Sequence, residues 1–269
     1  MRRTGMKTLG FIGMGNMGQA MLKGCLNVFK AEELVFTALL EEECRAVSEK
    51  TGVGYVMDAA ACSADVKYLV LAIKPQVYPE ILKTLSGKIR RDQIVISIAP
   101  SYSIAQVKEG LGGEVRVVRA MPNTPAMVGE GMSGVCFSED IYSDEEKQMI
   151  QTFFSSFGKM EIVPEHLINA VTVASGSSPA FVYMFIEALA DSAVKYGMPR
   201  NQAYTFAAQA VLGSAKMVLE TGEHPGRLKD NVCSPGGTTI EGVAVLEAKG
   251  MRSAVIEAAS AVFDKCNRM

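Results

Sequence analysis

The chain has 269 residues, 48% hydrophobic and 21% charged, which is enough for one large soluble domain or two ordinary ones. A formal net charge of −2 leaves no basic footprint and argues against a nucleic-acid partner. Six cysteines without a C-x-x-C pair read as free thiols, and with only two histidines, His166 and His224, no metal site is expected.

Val- and Ile-rich runs predict strands over residues 8–12, 34–38, 68–73, 94–98, 115–121, 133–137 and 160–163. Helical periods fall between several of them, such as 16–28 and 103–111. Continuous apolar strands separated by helices predict a doubly wound, mostly parallel α/β sheet. After Val163-Pro164 the β-type runs stop, and Ala-, Met- and Leu-rich stretches predict helices over 180–195, 200–220, 239–248 and 251–265. Gly176 reads as the end of one helix and Ser178-Pro179 as the cap and first-turn proline of the next; Gly197-Met198-Pro199 repeats that stop and start. His224-Pro225-Gly226 reads as a turn. The expected fold is α/β over residues 1–163, followed by an all-α domain over residues 164–269.

The helix over 180–195 is apolar on nearly every face, with Phe181, Val182, Met184, Phe185, Ile186, Leu189 and Val194. Such a helix needs cover on all sides. A domain this small supplies that poorly, so a homodimer through the helical domain is expected. The N-terminus shows no signal-peptide pattern and no run of about 18 apolar residues occurs, so a cytoplasmic protein without a membrane partner is expected.

The stretch LGFIGMGNMG, Leu9–Gly18, sets Gly13, Gly15 and Gly18 in G-x-G-x-x-G register between a strand and a helix. That pattern is the fingerprint of a Rossmann-type dinucleotide-binding domain: a tight turn, a close approach for pyrophosphate, and close helix–strand packing. Cofactor contacts are expected from Ile12, Gly13, Met14, Gly15, Asn16, Met17 and Gly18, with the amides of Asn16 and Met17 aimed at phosphate. Three more stretches fall at C-terminal strand ends, AIKP at 72–75, SIAP at 97–100 and MPNTP at 121–125. They add Ala72, Ile73, Lys74, Pro75, Ile98, Ala99, Pro100 and Asn123 as nicotinamide-side contacts. The second strand ends Thr37-Ala38-Leu39-Leu40 before Glu41-Glu42-Glu43, which meets neither the NAD nor the NADP rule. The glutamates read as a solvated helix start or, at Glu41, as a ribose contact. NADPH and NADH both remain open as cofactor.

Near the C-terminus, CSPGGTTIEG (residues 233–242) opens a helix with small residues and hydroxyls but lacks the lysine of a phosphate loop. Amides of Gly237, Thr238 and Thr239 at such a helix start can hold a carboxylate.

GFIGMGNMGQAM, AIKPQ, RAMPNTPA, ASGSSPAF and above all HPGRLKDNVCSPGGTTIEGVAVLE resemble the pyrroline-5-carboxylate reductase family over essentially the whole chain. The resemblance implies reduction of L-Δ1-pyrroline-5-carboxylate to L-proline by hydride transfer from NADPH or NADH. It implies that Ser234, Gly237, Thr238 and Thr239 bind the substrate and that Thr239 hydrogen-bonds the ring nitrogen. Whether Thr239 or a water supplies the ring proton stays open. It further implies that Asn231 touches the cofactor, that Glu165 lies near the substrate, and that dimers build a higher assembly. Ala99-Pro100-Ser101 departs from the Ala-Gly common in relatives, and Ala38-Leu39-Leu40 replaces the usual small polar residues. Two other readings remain: a β-hydroxyacid dehydrogenase, which wants a lysine early in the long helix where residues 176–183 have none, and a non-catalytic NAD(P)-binding sensor.

Overall fold

The computed structural model describes residues 7–268. Two compact units make up the chain: one runs to Ser177 and is rejoined by the chain end from Phe263, and the other is Ser178–Val262. The change from sheet to helix expected at 163/164 marks the end of the sheet, while compactness divides the chain later, at 177/178.

In the first unit, β1 (Lys7–Ile12), α1 (Asn16–Cys25), β2 (Leu34–Thr37), α2 (Glu41–Thr51), β3 (Gly54–Tyr55), α3 (Ala59–Ala64), β4 (Val66–Leu71), α4 (Tyr78–Leu85), β5 (Ile94–Ser97), α5 (Ile104–Leu111) and β6 (Arg116–Met121) alternate in sequence. Then come β7 (Gly131–Phe137), α6 (Asp144–Ser155) and β8 (Gly158–Ile162). The sheet order is β3-β2-β1-β4-β5-β6-β7-β8, all parallel pairs except β6 with β7. Strand order reverses beside β1, so the crevice between the C-terminal ends of β1 and β4 is the place where ligands of such sheets bind.

The strands are apolar on both faces because helices cover both. Phe11, Phe36, Val70, Ile96, Phe153 and Phe154 belong to one buried cluster and Leu69, Leu71, Tyr78, Val95, Val107 and Leu111 to the other. Each such side chain contributes about 1.5–3 kcal/mol on burial. Ser103 and Ser143 cap α5 and α6 as reciprocal capping boxes with Gln106 and Glu146. The two-residue β3 and helices α3, α4 and α6 were not among the elements expected, whereas the helix start expected at Glu41-Glu42-Glu43 opens α2.

After β8 a helix begins with α7 (Ile168–Val171), widens into a π turn (Thr172–Ser177) and continues as α8 (Ser178–Lys195). The stop at Gly176 and restart at Ser178-Pro179 expected from the sequence are therefore corrected: the helix passes through. Proline has no N–H for the carbonyl four residues back, which here is Ser175. The side-chain amide of Asn123 donates to that carbonyl at 3.1 Å, so it keeps a partner. The hydroxyls of Thr172 and Ser175 donate back to Ile168 and Val171 carbonyls within the widened turn.

The second unit continues with α9 (Arg200–Thr221), α10 (Pro225–Val232), α11 (Thr238–Ala248) and α12 (Met251–Asn267), the last crossing into the first unit's chain end. The turn expected at His224-Pro225-Gly226 is the start of α10: Pro225 takes the first helical position and Nδ1 of His224 accepts from the Gly226 amide at 3.1 Å. The buried seam of this unit is narrow, formed by Ala190, Ala203 and Ala207 with Ile186, Val194 and Met198 beside them. Much of the remaining apolar surface is exposed, including Val182, Met184, Phe185 and Leu189 of α8. The run Glu165–Lys195 is long and apolar enough by length and composition to cross a membrane, at mean hydropathy 1.2, although polar residues interrupt it.

Candidate active site

The glycine turn is built as its sequence predicts. Gly13 has φ 102°, a left-handed conformation, and a Cβ there would lie 2.5 Å from the Ala72 carbonyl oxygen. A Cβ on Gly18 would collide with the Gly13 carbonyl oxygen, so α1 sits directly on the turn. At Gly15 a Cβ would meet nothing within 4 Å, leaving open space over the backbone. Gly15 is also the N-cap of α1 and supplies no side-chain cap, so the first amides of the helix, from Asn16 and Met17, are left for an anion. The side-chain amide of Gln19 donates to Met14 O at 2.8 Å and braces the loop, while the Met14 side chain itself is buried in the core. This cradle fits a dinucleotide pyrophosphate.

Register brings the neighbouring strand ends to the same level. Ile12 pairs with Thr37 of β2 and with Leu71 of β4, and Ala72 N donates to Ile12 O at 2.8 Å. Ala72 and Ile73 thus leave β4 beside the turn, and Lys74, exposed, caps a 3₁₀ turn opened by Pro75. Ile98, Ala99 and Pro100 leave β5 at the adjoining edge. The buried Tyr78 hydroxyl donates to Leu71 O at 3.1 Å and meets Ser97 Oγ at 3.0 Å, tying the ends of β4 and β5 together. Burial pushes its phenol up to about 12, against hydrogen bonds that lower it, so it stays a neutral donor. Its ring stacks on Tyr102 at 4.6 Å.

Asn123 is buried, and both ends of its amide are engaged: Oδ1 accepts from Met132 N at 2.8 Å and Nδ2 donates to Ser175 O. Glu165 is placed in the first unit, where its Oε1 accepts from Arg119 at 2.9 Å and from the Ile104 amide at 2.7 Å, at the start of α5. Arg119 also donates to Pro100 O at 2.6 Å. Sequence reasoning missed Arg119 and Tyr78 as parts of the site. The available signal was the arginine interrupting an apolar strand, in RVVRAM.

In the second unit, α10 carries the exposed Asn231 and ends at Val232, and the chain turns through Gly236 at φ 66° into Gly237, the N-cap of α11. The Gly237 amide closes the turn onto Ser234 O at 3.0 Å, so the free amides of this helix start belong to Thr238 and the residues after it. Ser234 Oγ packs so tightly over Gly237 that any Cβ there would strike it. Ser234, Thr238 and Thr239 are exposed, and Gly237 adds no side-chain cap. The loop therefore presents hydroxyls and helix-start amides together, a fit for a carboxylate.

A family model described as pyrroline-5-carboxylate reductase dimerisation matches residues 165–269. A second, described as NADP oxidoreductase, coenzyme F420-dependent, matches residues 8–101. The pyrroline-5-carboxylate reductase of Escherichia coli (strain K12) is 45% identical over 98% of both chains. The chain belongs to the pyrroline-5-carboxylate reductase family. Among solved structures, the pyrroline-5-carboxylate reductase of Coxiella burnetii has a TM-score of 0.89 at 30% identity, covering 97% of this chain and 98% of its own. The Plasmodium falciparum pyrroline carboxylate reductase, solved with NADP bound, has a TM-score of 0.86 at 31% identity over the same shares.

Proposed function

We propose that the protein reduces L-Δ1-pyrroline-5-carboxylate to L-proline with NADPH or NADH. The observation that carries the reading is the pairing, in one chain of this family, of an open glycine cradle at α1 with a lysine-free anion loop at α11. A bound reduced nicotinamide supplies the hydride to the imine carbon.

The protein's own residues position and shield. Asn16 and Met17 amides hold pyrophosphate at the α1 start, with Ile12, Gly13, Met14, Gly15 and Gly18 shaping the turn. Ala72–Pro75 and Ile98–Pro100 flank the nicotinamide side, and Asn123 acts there by fixing the backbone of β7 and the π turn. Asn231 adds a contact to the dinucleotide. Thr238 and Thr239 amides, with the Ser234 hydroxyl, hold the substrate carboxylate over the turn that Gly237 closes. The Thr239 hydroxyl hydrogen-bonds the ring nitrogen, where the proton arrives from that hydroxyl or from water. Such a reaction needs orientation and exclusion of water more than a strong acid or base. Glu165 serves through Arg119, which holds the Pro100 carbonyl.

The assembly belongs to the same reading. The exposed apolar face of α8 lies within the stretch that matches the dimerisation model, which supports a homodimer through the helical domain and a higher assembly of dimers. That pairing also gives the Glu165–Lys195 run a protein partner rather than a bilayer, in keeping with a cytoplasmic enzyme. The test is loss of nicotinamide absorbance on adding pyrroline-5-carboxylate to protein with NADPH and with NADH. Proline should accumulate in step, and absence of turnover with both nucleotides would sink the reading.

A further inference from the structure

Beside the glycine turn, the end of β2 presents a surface opposite in character to a phosphate site. Gly13 N donates to Thr37 O at 2.9 Å, so β2 ends against the turn itself. In sheets of this type the adenosine ribose lies at that strand end, and the residues that follow read its 2′ substituent. Here they are Ala38, Leu39 and Leu40, whose side chains offer no hydroxyl, amide or cation; Leu39 and Leu40 are 90% and 59% exposed. Glu41, Glu42 and Glu43 come next, all exposed in the first turn of α2. Arg45 pairs with Glu41 at 3.3 Å, so three carboxylates stand against one guanidinium. The α2 N-terminus brings only about half a positive charge, too little to reverse that sign.

We propose that this edge, Leu39 to Glu43, selects NADH over NADPH. A ribose 2′-hydroxyl is a donor that a carboxylate there accepts, whereas a 2′-phosphate meets net negative charge, no side-chain donor from Leu39 to Glu43, and only a guanidinium already paired with Glu41. The inference rests on the dinucleotide reading of the glycine turn. It does not depend on which substrate is reduced.

Binding of NADH and of NADPH, followed by nicotinamide fluorescence without pyrroline-5-carboxylate, tests it. The protein should bind NADH about ten-fold tighter at low salt, with the ratio shrinking as salt screens the carboxylates. NADPH binding as tight as NADH binding, or tighter, overturns the proposal. Replacing Leu39→Ser together with Glu42→Arg should move the ratio about ten-fold toward NADPH by adding a hydroxyl and a cation. An unchanged ratio in that variant overturns the assignment to this edge. Because no imine is present, failed turnover with both nucleotides counts against the reaction, and the binding ratio still decides selectivity.

Discussion

In the proposed reaction, Thr239 is the residue that separates chemistry from scaffolding. It stands exposed one residue inside α11, beyond the turn that Ser234 and Gly237 close. Losing a hydrogen bond to a ring nitrogen that gathers charge as hydride arrives removes about 1.5–3 kcal/mol, so Thr239→Ala should lower kcat by about ten-fold or more. Dinucleotide affinity should change little, because the cradle lies on α1. Stopped-flow turnover and nucleotide titration on one sample check this; equal loss in both would make the loop purely structural. Arg119 shows the other kind of residue. It reaches Glu165 across 46 residues of sequence and Pro100 across 19, and nothing local in RVVRAM announces either partner.

At the scale of elements, α6 is fastened to the sheet by charge as well as by its phenylalanines. Glu146 lies 2.8 Å from Lys67 of β4 and 2.7 Å from Arg116 of β6. Burial alone would raise its carboxyl, but the hydrogen bonds from Arg116 and Lys67 win and hold it at about 2, below its usual 4.5. A depressed carboxyl contributes stability above its unfolded value, lost as pH falls from about 4.5 toward 2. With allowance for solvent screening, that loss is about 1–2 kcal/mol. Thermal melts across this window should show Tm falling less steeply in Glu146→Gln than in the unsubstituted protein, and parallel curves would refute the linkage. The helix through Thr172–Lys195 shows what element prediction misses. Pro179 reads locally as a helix start, yet Asn123, far off in sequence, donates to the Ser175 carbonyl that the proline cannot serve.

For the whole molecule, the second unit states its need for a partner. Met184 is 69% exposed on α8, among other exposed apolar residues, around a seam of little more than alanines. Met184→Asp would set an unpaired charge into a face read here as subunit contact, at about 3 kcal/mol or more for each copy. Sedimentation equilibrium should find the variant shifted toward monomer. An unchanged mass would mean that another surface holds the copies together.

The sequence by itself determined the alternation of the first unit, the helical texture of the second and the glycine cradle. These are legible because strand burial, helix period and the left-handed turn at Gly13 are set by neighbours within a few residues. The loop at 233–242 was legible for the same reason, although its first free amide falls at Thr238 rather than Gly237. Only the tertiary structure decided that Asn123 carries the π turn and that Glu165 is held by Arg119. It likewise decided that Tyr78 ties β4 to β5 and that Thr37 sets an acidic helix start beside the cofactor turn. Each of those contacts joins residues that the folded sheet and its flanking turns bring together, and such proximity leaves no periodic trace in either partner's local sequence.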